Sequence, residues 1–184
     1  MIGTAVVAER RSAALTVVGV VGFAAAIAAA SQVAIPLPGT PVPLTLQPML
    51  VVLAGLWLGP RAGAASMVLF LAAGAAGLPV FSPIGPPGLL RLAGPTGGYL
   101  LAYPVAAFVA GAVALRATNF GGRLLAATLG FLALFTGGVL QLGLLTGSFE
   151  RAVATGFLPF IVPDAAKAMF AALLAPARRH RDGR

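Results

Sequence analysis

Leu15–Ile35 reads LTVVGVVGFAAAIAAASQVAI, and from Ile35 to Pro43 the chain continues IPLPGTPVP. The first stretch carries no charge and is long enough for one helical crossing of a bilayer, which takes about 20 apolar residues. The second packs four prolines and a glycine into nine residues, so no helix continues through it. The pair therefore reads as a membrane-crossing helix that ends in a stiff, extended loop. Arg10 and Arg11 before an apolar run, with Ala28–Ala30 as a cleavable segment, also fit a signal peptide. The run extends beyond a usual signal core, and everything after it is equally apolar. An uncleaved first helix is the better reading.

The rest of the chain has the same character. Hydrophobic residues make up 59% and charged residues 9% of its 184 positions, and mean hydropathy is +1.00. A water-soluble domain carries about 25% charge, and a disordered chain needs low hydrophobicity with high charge. Both classes are excluded. The length suits about six spans with connectors and no sizeable soluble domain. The net charge of +8 would point to nucleic acid in a soluble protein. Scattered among apolar runs, basic residues instead orient spans and meet anionic lipid heads. With no cysteine, the chain has no disulfide, thiolate nucleophile or Cys-ligated metal. Its only histidine, His180, sits in the basic tail. Its only lysine, Lys167, follows no phosphate-cradling loop, so the chain does not itself hydrolyse ATP.

Pro/Gly clusters and charges divide the chain into helices over about 15–35, 46–58, 62–77, 98–115, 124–145 and 162–175. Thr45 is expected to cap the second, with Pro48 in its first turn. A short interfacial helix suits 146–159, around Glu150-Arg151. Arg10, Arg11, Arg61, Arg116, Arg123 and the terminal Arg178, Arg179, Arg181 and Arg184 fall on one side, Arg91 and Arg151 on the other. The positive-inside rule makes the richer side cytoplasmic. The expected fold is a single all-α domain over 1–184, an integral membrane six-helix bundle with N- and C-termini cytoplasmic. No internal repeat points to two inverted halves.

Three charges remain that topology does not explain. Asp164 and Lys167 lie within TGFLPFIVPDAAKAMFAALLA, residues 155–175. Each costs about 2.5–3.5 kcal/mol at a bilayer centre. Their spacing allows an ion pair on one helix face, and Asp164 after Pro163 also suits a helix N-terminus. An intramembrane charge facing the bundle interior equally marks a polar ligand site, and a paired couple can open to a ligand. Arg91 is a solvated loop residue, a lipid-phosphate anchor, or a bidentate clamp for a carboxylate. The turn Gly94–Tyr99 lets backbone approach a ligand or another helix. Tyr99 offers a ring and a hydroxyl. Gln47 and Gln141 suit interhelical hydrogen bonds. Ala24 and Ala28 form a small-residue ridge on the first helix, fit for packing in the bundle or for docking a partner protein.

Four segments carry a resemblance: PLPGTPVPLTLQ (36–47), AGAAGLPVF (73–81), GPTGGYLLAYP (94–104) and PFIVPDAAKA (159–168). In that order and spacing they resemble the BioY family, the substrate-binding subunits of energy-coupling-factor (ECF) biotin transporters, over about residues 15–176. The resemblance implies a six-helix bundle in the bacterial cytoplasmic membrane that binds biotin near its outer face, with no covalent cofactor and no catalysis. Its partners would be biotin, the lipid bilayer, a transmembrane coupling protein and two cytoplasmic ATPases, and not nucleic acid. It implies that Arg91, Asp164 and Lys167 line the biotin pocket, with Tyr99 and, within the matching segments, Gln47, Thr96, Gly97 and Phe81. It makes the Ala24/Ala28 ridge a docking surface for the coupling protein, and loops 36–43 and 79–95 a lid. The family's glycine between proline and aspartate is missing here, where Pro163 meets Asp164 directly. The other readings are a subunit for another small vitamin and a membrane enzyme using Asp164 as general base.

Overall fold

The computed structural model describes residues 2–176, with side chains from Ser12 onward. His180 and the terminal arginines Arg178, Arg179, Arg181 and Arg184, which support the expected internal C-terminus, lie outside the described residues. Among the described residues the fold is all-helical: α1 (Ile2–Ser31), α2 (Gln47–Leu58), α3 (Pro60–Ala75), α4 (Leu89–Ala93), α5 (Gly97–Ala114), α6 (Phe120–Thr146), α7 (Phe149–Gly156) and α8 (Ile161–Leu174). A 3-10 turn, Leu158–Phe160, joins the last two.

Several boundaries differ from expectation for local reasons. α1 takes in the charged head, because Ala, Glu and Arg are good helix formers and nothing there breaks the helix. It stops at Ser31, not Ile35. Gln32 and Val33 donate to carbonyls three residues back, and Pro36 drives Ile35 into extended backbone. Ile35 and Leu44 then exchange two backbone hydrogen bonds of 2.9 and 2.8 Å across the proline-rich loop. Thr45 is not the residue adjoining α2; that is Leu46. The Thr45 hydroxyl still accepts from the Gln47 N–H at 3.3 Å, from one position further out. Arg123, expected in a loop, falls in the first turn of α6, where Asn119 caps Gly122 at 2.9 Å.

Among the described residues, four segments are long and apolar enough to cross a membrane: Ser12–Ser31, Gly97–Ala114, Phe120–Thr146 and Phe149–Leu174. The last is bent at the 3-10 turn. α2 and α3, with 12 and 16 residues, are about 18 and 24 Å long at 1.5 Å per residue. Neither reaches across about 30 Å of hydrocarbon, because Pro43, Gly59-Pro60 and Gly77 cut them short. Large apolar side chains such as Val162, Leu144 and Val18 face outward, as lipid-facing positions do. The chain is a multi-pass membrane protein.

α5 is the hub, packed against α6, α2 and α3, and α8 inserts against α2 and α6. α1 lies outside, on α3 and α2. α1 is the least buried of the long apolar segments, with 11% of it covered against 56% of α5. α5 and α6 touch backbone to backbone at Gly98 and Gly137: a Cβ on Gly137 would stand 2.6 Å from that of Ala102. Such small-residue contacts bring membrane helices close enough for dispersion to hold them. Ala24 is buried in the core and Ala28 packs partly buried against it. Of the two roles expected for this ridge, packing within the bundle is the one that Ala24 fills here. Trp57 Nε1 donates to the Leu174 carbonyl at 3.1 Å and Arg123 Nε to that of Ala172 at 3.0 Å. Together they satisfy carbonyls that the end of α8 leaves without helical partners.

Candidate functional site

Where α2, α5, α6 and α8 converge, a cavity of about 620 Å³, its open mouth included, lies beneath the two Pro/Gly-rich loops. Small-molecule sites combine apolar walls with a few placed polar groups. Here Phe81, Leu134, Phe135 and Phe160 supply apolar wall, and Arg91, Asp164 and Lys167 supply charge.

Asp164 and Lys167 occupy successive turns at the start of α8, 5% and 8% exposed. Lys167 Nζ donates to Asp164 Oδ1 at 2.5 Å. The expected ion pair forms, and it faces the cavity. One donation leaves Lys167 two N–H groups, and Asp164 keeps acceptor capacity on its second oxygen.

Arg91 comes from α4, a single turn in a stretch whose Pro and Gly read as loop, and is 5% exposed. Its guanidinium donates to the Ile84 carbonyl through Nη1, and to that of Ser82 through Nη2 at 2.5 Å. Gly85 beside it has φ of 108°, and Arg91 Nη1 occupies the place of the missing Cβ. Arg91 therefore organises loop 82–91 over the cavity as well as charging it. Burial lowers its pKa from the ordinary arginine value, Tyr103 acting in the opposite sense. The expected interhelical role of Gln141 is realised here: its Nε2 donates to the Leu92 and Gly94 carbonyls at 2.9 Å each, fastening the turn that carries Arg91.

Tyr99 lines the cavity, but its hydroxyl donates to the Gly156 carbonyl at 2.7 Å. That carbonyl is free because the chain leaves the helix at Phe157, and Phe160 N–H turns to the Phe157 carbonyl instead. Tyr99 thus offers the cavity a ring and gives its hydroxyl to the protein. Phe81, Thr96 and Gln47 also line the cavity; Gly97 does not. A Cβ on Gly97 would strike the Leu92 carbonyl, so that glycine serves the packing of α4 on α5. Gln47 is 5% exposed, and its Nε2 is the one buried side-chain nitrogen or oxygen without a hydrogen-bond partner among the described residues. An orphaned buried donor costs about 1–3 kcal/mol. Beside a cavity, it is a place for a ligand acceptor.

Sequence reasoning missed Tyr103, Phe135 and Phe160, all in the lining. Tyr103 lies one helical turn beyond Tyr99 and stacks on Phe70 at 6.2 Å between centroids. That i, i+4 spacing was the available signal. Phe135 and Phe160 sit in apolar runs, where an aromatic reads as packing.

The BioY family model matches residues 6–183. A probable biotin transporter BioY from Pyrococcus horikoshii is 42% identical over 135 residues, 73% of this chain and 79% of that protein. The biotin transporter BioY of Thermotoga maritima is 36% identical over 153 residues, 83% of this chain and 89% of that protein. Among solved structures, the crystal structure of the S-component for biotin from an ECF-type ABC transporter superposes with a TM-score of 0.82. It is 28% identical, and the match covers 90% of both chains.

Proposed function

The chain belongs to the BioY family, and from that premise we propose that it is the biotin-binding, substrate-specific subunit of an ECF-type transporter, serving uptake across the bacterial cytoplasmic membrane. One observation carries the proposal: an aromatic-walled cavity whose polar groups include a buried Asp–Lys pair, a buried arginine and an unpaired amide donor. Biotin has a carboxylate, a ureido group with two N–H donors and a carbonyl, and an apolar bicycle. Asp164 accepts from a ureido N–H. Lys167 and Arg91 serve the carboxylate and the ureido oxygen, and Gln47 Nε2 donates to a remaining acceptor. Tyr99, Phe81, Phe135 and Phe160 flank the bicycle, and Thr96 adds a hydroxyl to the lining. Closure of loops 36–43 and 79–95 expels water and strengthens each polar contact.

The wider arrangement follows from the same premise. The whole chain is one domain, with α1, α2, α3, α5, α6 and the α7–α8 pair as six membrane elements and both termini cytoplasmic. A transmembrane coupling protein and two ATPases complete the transporter, and they alone hydrolyse ATP. The purified protein is expected to bind labelled biotin saturably, and unlabelled biotin but not other vitamins should displace it. Displacement by a different vitamin would assign the cavity to that ligand.

A further inference from the structure

α1 ends directly against a wall of the cavity. Ser31, fully buried, has its hydroxyl 2.7 Å from the Ala28 carbonyl and 2.5 Å from that of Val80. Gln32 Nε2 lies 2.9 Å from Ser31 Oγ and 3.3 Å from both the Pro79 and Phe81 carbonyls. Two adjacent side chains, with three donor protons between them, thus reach three successive carbonyls of the loop leaving α3. A helix needs no such grip to end; Ala28 alone serves as a local acceptor for both side chains. The gripped segment gives Phe81 and Ser82 to the cavity lining. The ring of Phe81 is part of the wall and packs edge-on against Phe70 at 5.4 Å. The next carbonyl, that of Ser82, is held from the other side by Arg91. Residues 79–82 therefore hang between two polar grips, one on α1 and one on α4.

We infer that Ser31 and Gln32 are positioning residues for ligand retention: they hold the Phe81 wall shut and make ligand release depend on how α1 is seated. This rests on the biotin-binding proposal. The joint is placed where it can act, because α1 lies at the edge of the bundle, on α3 and α2, and the loop it grips leaves α3. Neither residue lines the cavity, so any effect on ligand must pass through the wall.

The test is release of labelled biotin from the purified full-length protein carrying Ser31→Ala with Gln32→Leu, alongside hydrogen exchange of residues 79–85 without ligand. Loss of these hydrogen bonds should speed release roughly tenfold, with association rate and number of sites within about twofold of wild type. Amides of residues 79–85 should exchange faster, and Ser31→Thr alone, which keeps a hydroxyl, should stay near wild type in release. Unchanged release together with unchanged exchange would overturn the inference and reduce both residues to a helix end. A wild-type protein that binds no biotin would instead overturn the proposed function, while the exchange measurement would still test the grip.

Discussion

At the scale of single residues, the site is built from charges that the bundle buries. With 9% charged residues, topology accounts for all but Arg91, Asp164 and Lys167, and all three line one cavity. Removing one member of the Asp164–Lys167 pair strands the other as an unpaired buried charge, which costs about 3–5 kcal/mol. Asp164→Asn or Lys167→Ala should therefore weaken biotin binding at least tenfold and lower the unfolding temperature. The double variant Asp164→Asn, Lys167→Met should recover stability but not affinity. Titration calorimetry and thermal unfolding in detergent read the two effects separately. Tyr99→Phe leaves the Gly156 carbonyl without its partner and should cost about 1–3 kcal/mol of stability, read by the same thermal unfolding. The aromatic wall was not legible. Tyr103, Phe135 and Phe160 look like core residues until folding shows an empty space beside them. The engagement of the Tyr99 hydroxyl was hidden for a related reason, since its partner lies 57 positions away.

At the scale of elements, Pro and Gly showed where helices stop, because a missing N–H or a positive φ acts locally. They did not show where one begins when the preceding residues are also helix formers, as at the head of α1. Nor did they reveal α4, a single turn held by a contact that is long-range in sequence. Gln141 supplies that contact. Gln141→Leu should release the turn bearing Arg91 and lower biotin affinity roughly tenfold without removing any residue of the cavity lining, as two buried carbonyls lose their donor. Affinity unchanged in this variant would show that Arg91 is placed by α4 alone. The α5–α6 seam makes a stability prediction. Gly137→Ala puts a methyl where Ala102 and the Gly98 carbonyl already stand and should cost about 1–3 kcal/mol through overpacking. Thermal unfolding in detergent checks it, and Gly22→Ala, with open space around it, is the matched control.

At the scale of the whole molecule, composition alone set the class, since so apolar a chain has no soluble fold available. Element lengths were harder to read, because α2 and α3 are too short to span alone yet both pack against α5. Which face is cytoplasmic can be probed directly, as the chain has no cysteine. Pro38→Cys should react with an impermeant maleimide added outside intact cells, and Thr118→Cys only after permeabilisation. The reverse pattern would invert the proposed orientation. The central claim is that the cavity beneath the two loops receives biotin on its buried charges. Equilibrium binding of labelled biotin to purified wild type and to the Asp164→Asn, Lys167→Met variant tests it most directly. Saturable binding at one site per chain, displaced by unlabelled biotin and at least tenfold weaker in the variant, is the predicted result. Wild-type binding that does not saturate, or equal affinity in the two proteins, would contradict it.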